Sequence, residues 1–157
     1  MNEEKLDLYV KAITEIVGEN TIKESYINQA NSNMPTLIID KEKWHEASML
    51  LHDDNSMRFD YIMNLSGVDY TTYMEVIYHL YSFSRDEYIT VKVQTDREGG
   101  GVPSVIDIWP GADWQERETY DLLGIYFNGR EISRILLPDD WVGHPLRKDY
   151  VPYDEGV

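Results

Sequence analysis

Cysteine is absent from this 157-residue chain. That excludes disulfides, thiolate zinc sites, iron–sulfur ligation by this chain and a cysteine nucleophile. Positive charge is scarce: 14 Lys and Arg stand against 29 Asp and Glu, a formal net charge of −15. Neither nucleic acid nor an anionic lipid surface would find a basic footprint here. No window approaches the roughly 18 continuous apolar residues of a membrane span. The start, MNEEKLDLYV, has neither the basic beginning nor the apolar core of a signal peptide. The expectation is a soluble cytoplasmic chain that reaches a membrane only through a partner.

Signatures of autonomous chemistry are missing too. His45, His52, His79 and His144 fall in no HExxH or comparable ligand spacing. The run Gly99-Gly100-Gly101 is not followed by Lys-Ser/Thr and leads into Val102-Pro103, so it reads as a flexible hairpin connection. There is no GxSxG elbow. A stand-alone acidic hydrolase or ligand-binding domain using Glu116, Glu118 and His144 stays open as a reading of another class. Against it, a regular helix would separate the two glutamates by about 200°.

Hydrophobic periodicity supplies the fold. Leu6, Tyr9, Val10, Ile13, Ile16 and Val17 recur at helical spacing over residues 3–17, and Gly18 suits the position after the helix. Strands are expected at Ile22–Gln29 and Thr36–Ile39. Asp40 then caps a helix over residues 41–52. Phe59, Tyr61, Met63 and Leu65 alternate over Arg58–Ser66, which predicts a strand with those four on one buried face. Ser66–Thr72 reads as a connection. Val76–Phe83, Tyr88–Gln94 and Ser104–Ile108 read as further strands, and Ala112–Leu123 as a helix ended by Gly124. In that helix Arg117 lies between Asp113 and Asp121 at i, i+4 spacing, which predicts either a helix ion pair or a buried interface role. The fold class is α+β: a two-layer domain of helices on a mixed or antiparallel sheet over residues 1–137.

Residues 138–157 are expected to be an extended, irregular C-terminal arm. Pro138, Pro145, Pro152, Gly143 and Gly156 forbid regular structure, yet Trp141, Val142, Leu146, Tyr150, Val151 and Tyr153 are crowded into it. Disordered tails are poor in such residues. This composition suits a segment that takes its order from a partner, with aromatic anchors in partner pockets and basic side chains on partner acids. The expected contacts are Arg117, Arg130, Arg134, Trp141, His144, Leu146, Arg147, Lys148 and Tyr150.

Two blocks carry a resemblance. Trp114-Gln-Glu-Arg-Glu-Thr-Tyr-Asp-Leu-Leu-Gly-Ile125 comes first; Arg134-Ile-Leu-Leu-Pro-Asp-Asp-Trp141 and Gly143-His-Pro-Leu-Arg-Lys-Asp-Tyr150 come after it. Together they resemble the thirty-kilodalton (C) subunit of the proton-pumping NADH:quinone oxidoreductase (respiratory complex I), with relatives in membrane-bound hydrogenases. The resemblance implies a non-catalytic subunit of the hydrophilic arm, on the cytoplasmic face of the cell membrane. It implies the D, B and I subunits as neighbours, with the tail wrapped over the D subunit at the quinone site. It also implies no cofactor in this chain, with iron–sulfur clusters, FMN, NADH and quinone held by partner subunits. Arg130 departs from the family pattern, where His or Lys is expected; that leaves room for the equivalent subunit of a membrane-bound [NiFe] hydrogenase or ferredoxin-driven complex.

Overall fold

A computed structural model of the chain describes residues 1–152; residues 153–157, Tyr153 and Gly156 among them, lie outside the described residues. Helix α1 (Glu3–Val17) begins where Asn2 accepts from the Lys5 amide (3.0 Å) and puts Glu3 and Glu4 at its positive end. Leu6, Tyr9, Ile13 and Val17 are buried, whereas Ile16, expected inside, is exposed. Strands β1 (Ile22–Asn28) and β2 (Met34–Ile39) form a hairpin, and Asp40 caps α2 (Lys41–Asp53) through the Glu42 amide (2.9 Å). Strands β3 (Tyr61–Asp69), β4 (Tyr73–Ser82) and β5 (Glu87–Asp96) complete a five-stranded sheet in the order β1-β2-β5-β4-β3. The β2–β5 pairing is parallel and the others are antiparallel, so the sheet is mixed.

Every second residue of the central strands points into one core: Leu37 and Ile39, Val76, Tyr78 and Leu80, Ile89, Val91 and Val93. Helix α2 closes over it through Trp44, whose ring lies 4.6 Å from that of Tyr78, and α1 through Tyr9, edge-on to Phe59. The helices and the sheet make the expected two layers.

Two expectations about β3 are corrected. On β3 the pairing register shifts between Ile62 and Asn64. That bulge turns Ile62 and Leu65 inward and leaves Tyr61 and Met63 exposed, so the simple alternation fails at the extra residue. The strand also runs on to Asp69, which shortens the connection to Tyr70–Thr72.

The triple glycine does not close a hairpin. It leads to β6 (Gly101–Pro103), which pairs in parallel with β7 (Tyr126–Asn128) across the intervening helix α3 (Ala112–Leu123). Ser104–Ile108, expected as a strand, is a turn instead: a carboxylate of α3 takes the Val105 amide, and Ile108 and Trp109 both donate to the Val105 carbonyl. At Gly67 on β3, a Cβ would stand 2.6 Å from Leu123 and 2.8 Å from Thr119, so glycine lets α3 lie directly on the sheet.

Candidate partner-binding surface

Helix α3 carries two fully buried acids, and each draws in an arginine from the irregular segment after β7. Glu116 accepts from the Val105 amide (2.9 Å), the Ser104 hydroxyl (2.7 Å) and Arg130 Nη1 (3.2 Å); Arg130 Nη2 also pairs with Asp113. Burial pushes the Glu116 carboxyl above its ordinary value, against the pull of those donors. Asp121, further along the helix, is surrounded by donors. Its Oδ1 takes Arg134 Nη1 (2.7 Å), and its Oδ2 takes the successive amides of Ile135 (3.1 Å), Leu136 (2.8 Å) and Leu137 (2.9 Å). Burial alone would raise this carboxyl; the three amides and the guanidinium outweigh it and bring it down to about 2.

The helix ends at Gly124, in the left-handed region (φ 73°), and the arm takes up the carbonyls its last turn leaves open. His144 Nδ1 donates to the Asp121 carbonyl (2.9 Å), the Leu146 amide to Leu122 (2.9 Å) and Arg147 Nε to Leu123 (2.7 Å). Arg134 and Arg147 also place positive charge at the negative end of the helix. Arg134 Nη2 reaches on to the carbonyls of Trp141 (3.0 Å) and Gly143 (2.9 Å) and holds the loop between them closed.

A third clamp sits at the end of β3. Asp69, buried, takes Arg97 through Nε (3.0 Å) and Nη2 (2.9 Å), together with the amides of Thr71 (2.7 Å) and Lys148 (2.9 Å). The Arg97 guanidinium holds this carboxyl well below the usual range. The same guanidinium reaches Asp149 in the arm at 2.6 Å. Sequence reading missed Arg97, Asp69 and Glu98. Arg97 and Asp149 are 52 positions apart, and nothing local marks them as a pair.

The expected contact residues therefore divide. Arg130, Arg134 and Arg147 have their guanidinium groups engaged within the chain. Arg117 donates to the carbonyls of Ser133 (3.3 Å) and Arg134 (2.9 Å) and stacks on Trp114, rather than pairing with Asp113 or Asp121. Those two aspartates are taken by Arg130 and Arg134. His144 is engaged with α3, and Tyr150 is half-buried against Gly143. Facing solvent are Leu136 (59% exposed), Trp141 (41%), Val142 (88%), Leu146 (60%) and Val151 (84%), with the Lys148 side chain.

Glu116, Glu118 and His144 do not converge. Glu116 is sealed among Val105, Ser104 and Arg130, while Glu118 is exposed beside Leu146 in a groove of 210 Å3. His45 pairs with Asp107 (2.7 Å) and His52 with Asp53 (2.6 Å), and His79 meets Thr90 (3.2 Å). Among the described residues no three His, Asp or Glu side chains are grouped to hold a metal, and no helix is long and apolar enough to cross a membrane.

Residues 37–155 match the family model described as respiratory-chain NADH dehydrogenase, 30 Kd subunit. The C subunit of the NADH-quinone oxidoreductase of Roseiflexus sp. (strain RS-1) is 46% identical over 69% of this chain and 64% of its own length. The corresponding subunit of Acidothermus cellulolyticus is 42% identical over 73% and 62%, and that of Chlorobium phaeobacteroides 39% identical over 77% and 76%. The chain thus spans less than two thirds of the first two relatives. Among solved structures, a chain of the membrane-bound sulfane sulfur reductase, an archaeal respiratory membrane complex, shares the fold (TM-score 0.73, 24% identity, 92% of this chain and 85% of that one). A trypsin-resistant fragment of Nqo5 superposes with a TM-score of 0.62 at 25% identity, over 78% of this chain and 98% of the fragment.

Proposed function

Because the chain belongs to the family of the 30 kDa subunit of respiratory-chain NADH dehydrogenase, we propose that it is a non-catalytic subunit in the hydrophilic arm of a proton-translocating NADH:quinone oxidoreductase. Its role is to bind the D subunit, at the quinone site, and the cluster-carrying B and I subunits. The redox groups (FMN, iron–sulfur clusters, NADH and quinone) belong to those neighbours and others in the complex. Membrane attachment, on the cytoplasmic face, comes through them.

One observation carries this reading: the two sequence blocks that mark the family meet in space. Trp114–Ile125 supplies Asp121, Leu122 and Leu123; Arg134–Tyr150 supplies the groups that hold them. The marked residues thus build a platform rather than a reaction centre. Its arginines bind inward, while Leu136, Trp141, Val142 and Leu146 face out, as a docking surface requires.

Native purification of the tagged chain from its own membranes tests the proposal. The expected result is a complex containing the iron–sulfur and quinone-site subunits, with NADH:quinone activity. Recovery as a clean monomer with a turnover of its own refutes it in favour of an independent acidic hydrolase or binding domain. Electron delivery from ferredoxin, or proton reduction to hydrogen, in the purified complex moves the chain to the ferredoxin-driven or hydrogenase branch.

A further inference from the structure

The unpaired acids along the segment that carries the exposed apolar side chains outnumber its unpaired cations. Glu118, Glu131, Asp139 and Asp140 are exposed, and none has a cationic partner among the described residues. Three of the four nearby arginines are already paired with acids and do not offset them. Arg130 is paired with Asp113 and Glu116, Arg134 with Asp121 and Arg147 with Glu98, whereas Arg117 is held by two carbonyls and keeps its charge. Lys148 alone among the segment's basic side chains extends into solvent.

We infer that the exposed apolar side chains Leu136, Trp141, Val142, Leu146 and Val151 dock against an apolar surface of a partner protein that is flanked by basic residues. The inference rests on the proposed function and reverses the expectation that the arm offers basic side chains to an acidic partner. Exposed apolar side chains interspersed with unpaired acids call for a complementary surface, because desolvated like charges facing each other cost several kcal/mol. An anionic lipid surface or a nucleic acid would meet the same repulsion. So would a second copy of this chain, which brings the same acids to a two-fold interface. The arm is also already shaped: Leu146, Lys148 and Tyr150 donate their amides within the chain, as do the side chains of Arg134 and Arg147. A partner therefore meets a formed surface, not a chain it must order.

The test replaces the wild-type subunit in its native membranes with tagged full-length variants. The fraction recovered in the membrane complex is read on native gels, and the melting of each purified variant checks that it folds. Reversal of the acids (Glu131→Lys with Asp139→Lys and Asp140→Lys) and spoiling of the apolar surface (Val142→Asp) are each expected to lower incorporation at least tenfold. Glu4→Lys with Asp7→Lys on α1 is expected to stay within twofold of wild type, and Lys148→Glu to lose less than the acid reversals. Normal incorporation of the acid-reversed chain overturns the inference, and so does a loss with Lys148→Glu as large as that with the acid reversals. Failure of the wild-type chain itself to enter any complex is a distinct result; it removes the parent reading and this one together.

Discussion

Arg134 Nη1 stands 2.7 Å from Asp121 Oδ1, and that one contact joins helix α3 to the irregular segment beyond β7. The acid is fully buried, its second oxygen collects three successive amides, and the arginine passes on to two carbonyls of the arm. Removing either side chain leaves the other buried with unmet hydrogen-bonding capacity. Asp121→Asn is therefore expected to destabilise the isolated chain by about 3 kcal/mol. Denaturant unfolding of the purified subunit measures it; a midpoint equal to wild type would show that the arm contributes nothing to the domain.

The same acid sets an acid-unfolding limb. Its folded-state pKa of about 2 lies below the ordinary 3.8, so its contribution is fully present above pH 4 and is lost as the pH falls through 2. The amount is on the order of 2 kcal/mol. Asp69, also lowered, acts in the same direction. Wild type should lose stability steeply between pH 4 and pH 2, and Asp121→Asn less steeply. Parallel curves for the two proteins count against this assignment.

Glu116 has the opposite sign. Burial raises its pKa, so holding it ionised works against the fold as pH rises, and Arg130 limits that cost. Arg130→Ala should destabilise the chain by ~3 kcal/mol near neutral pH. The deficit should shrink at pH 4, where Glu116 is protonated more readily. Urea unfolding at both pH values checks the difference, and a deficit independent of pH contradicts it.

At Gly67 the limit is space. A methyl group there meets the side chains of Leu123 at 2.6 Å and Thr119 at 2.8 Å, so Gly67→Ala must displace those side chains or the helix that carries them. The expected loss is about 1–3 kcal/mol. Thermal melting decides it, and a neutral effect means that the helix shifts freely.

For the arm, order and binding separate by residue. The amides of Leu146, Lys148 and Tyr150 are hydrogen-bonded within the chain and should exchange with deuterium more slowly in the free subunit than that of Val142. Trp141→Ala, by contrast, removes an exposed side chain. It should weaken assembly by about 2–4 kcal/mol while leaving the melting of the isolated chain nearly unchanged. Equal exchange across the arm, or a large fall in melting for Trp141→Ala, would reverse these roles.

By itself the sequence determined whatever depends on neighbours within a few residues. The spacing of Leu6, Tyr9, Ile13 and Val17 marked α1; Asp40 marked the start of α2; Gly124 marked the end of α3. Local period, caps and glycine conformations act over one or two turns, so they can be read in a line of residues. The Trp114–Ile125 and Arg134–Tyr150 blocks identified the family for the same reason: their residue types and order are written contiguously. Only the tertiary structure decided which way the charges and the β3 side chains face. A single bulge reversed the burial of Tyr61 and Met63. Arg97 found Asp69 and Asp149, and Arg130 and Arg134 found Glu116 and Asp121, across separations of 13 to 52 positions. Such pairings exist only once the sheet and α3 have brought distant segments together. They took arginines that read as contacts for a partner and engaged them within the chain.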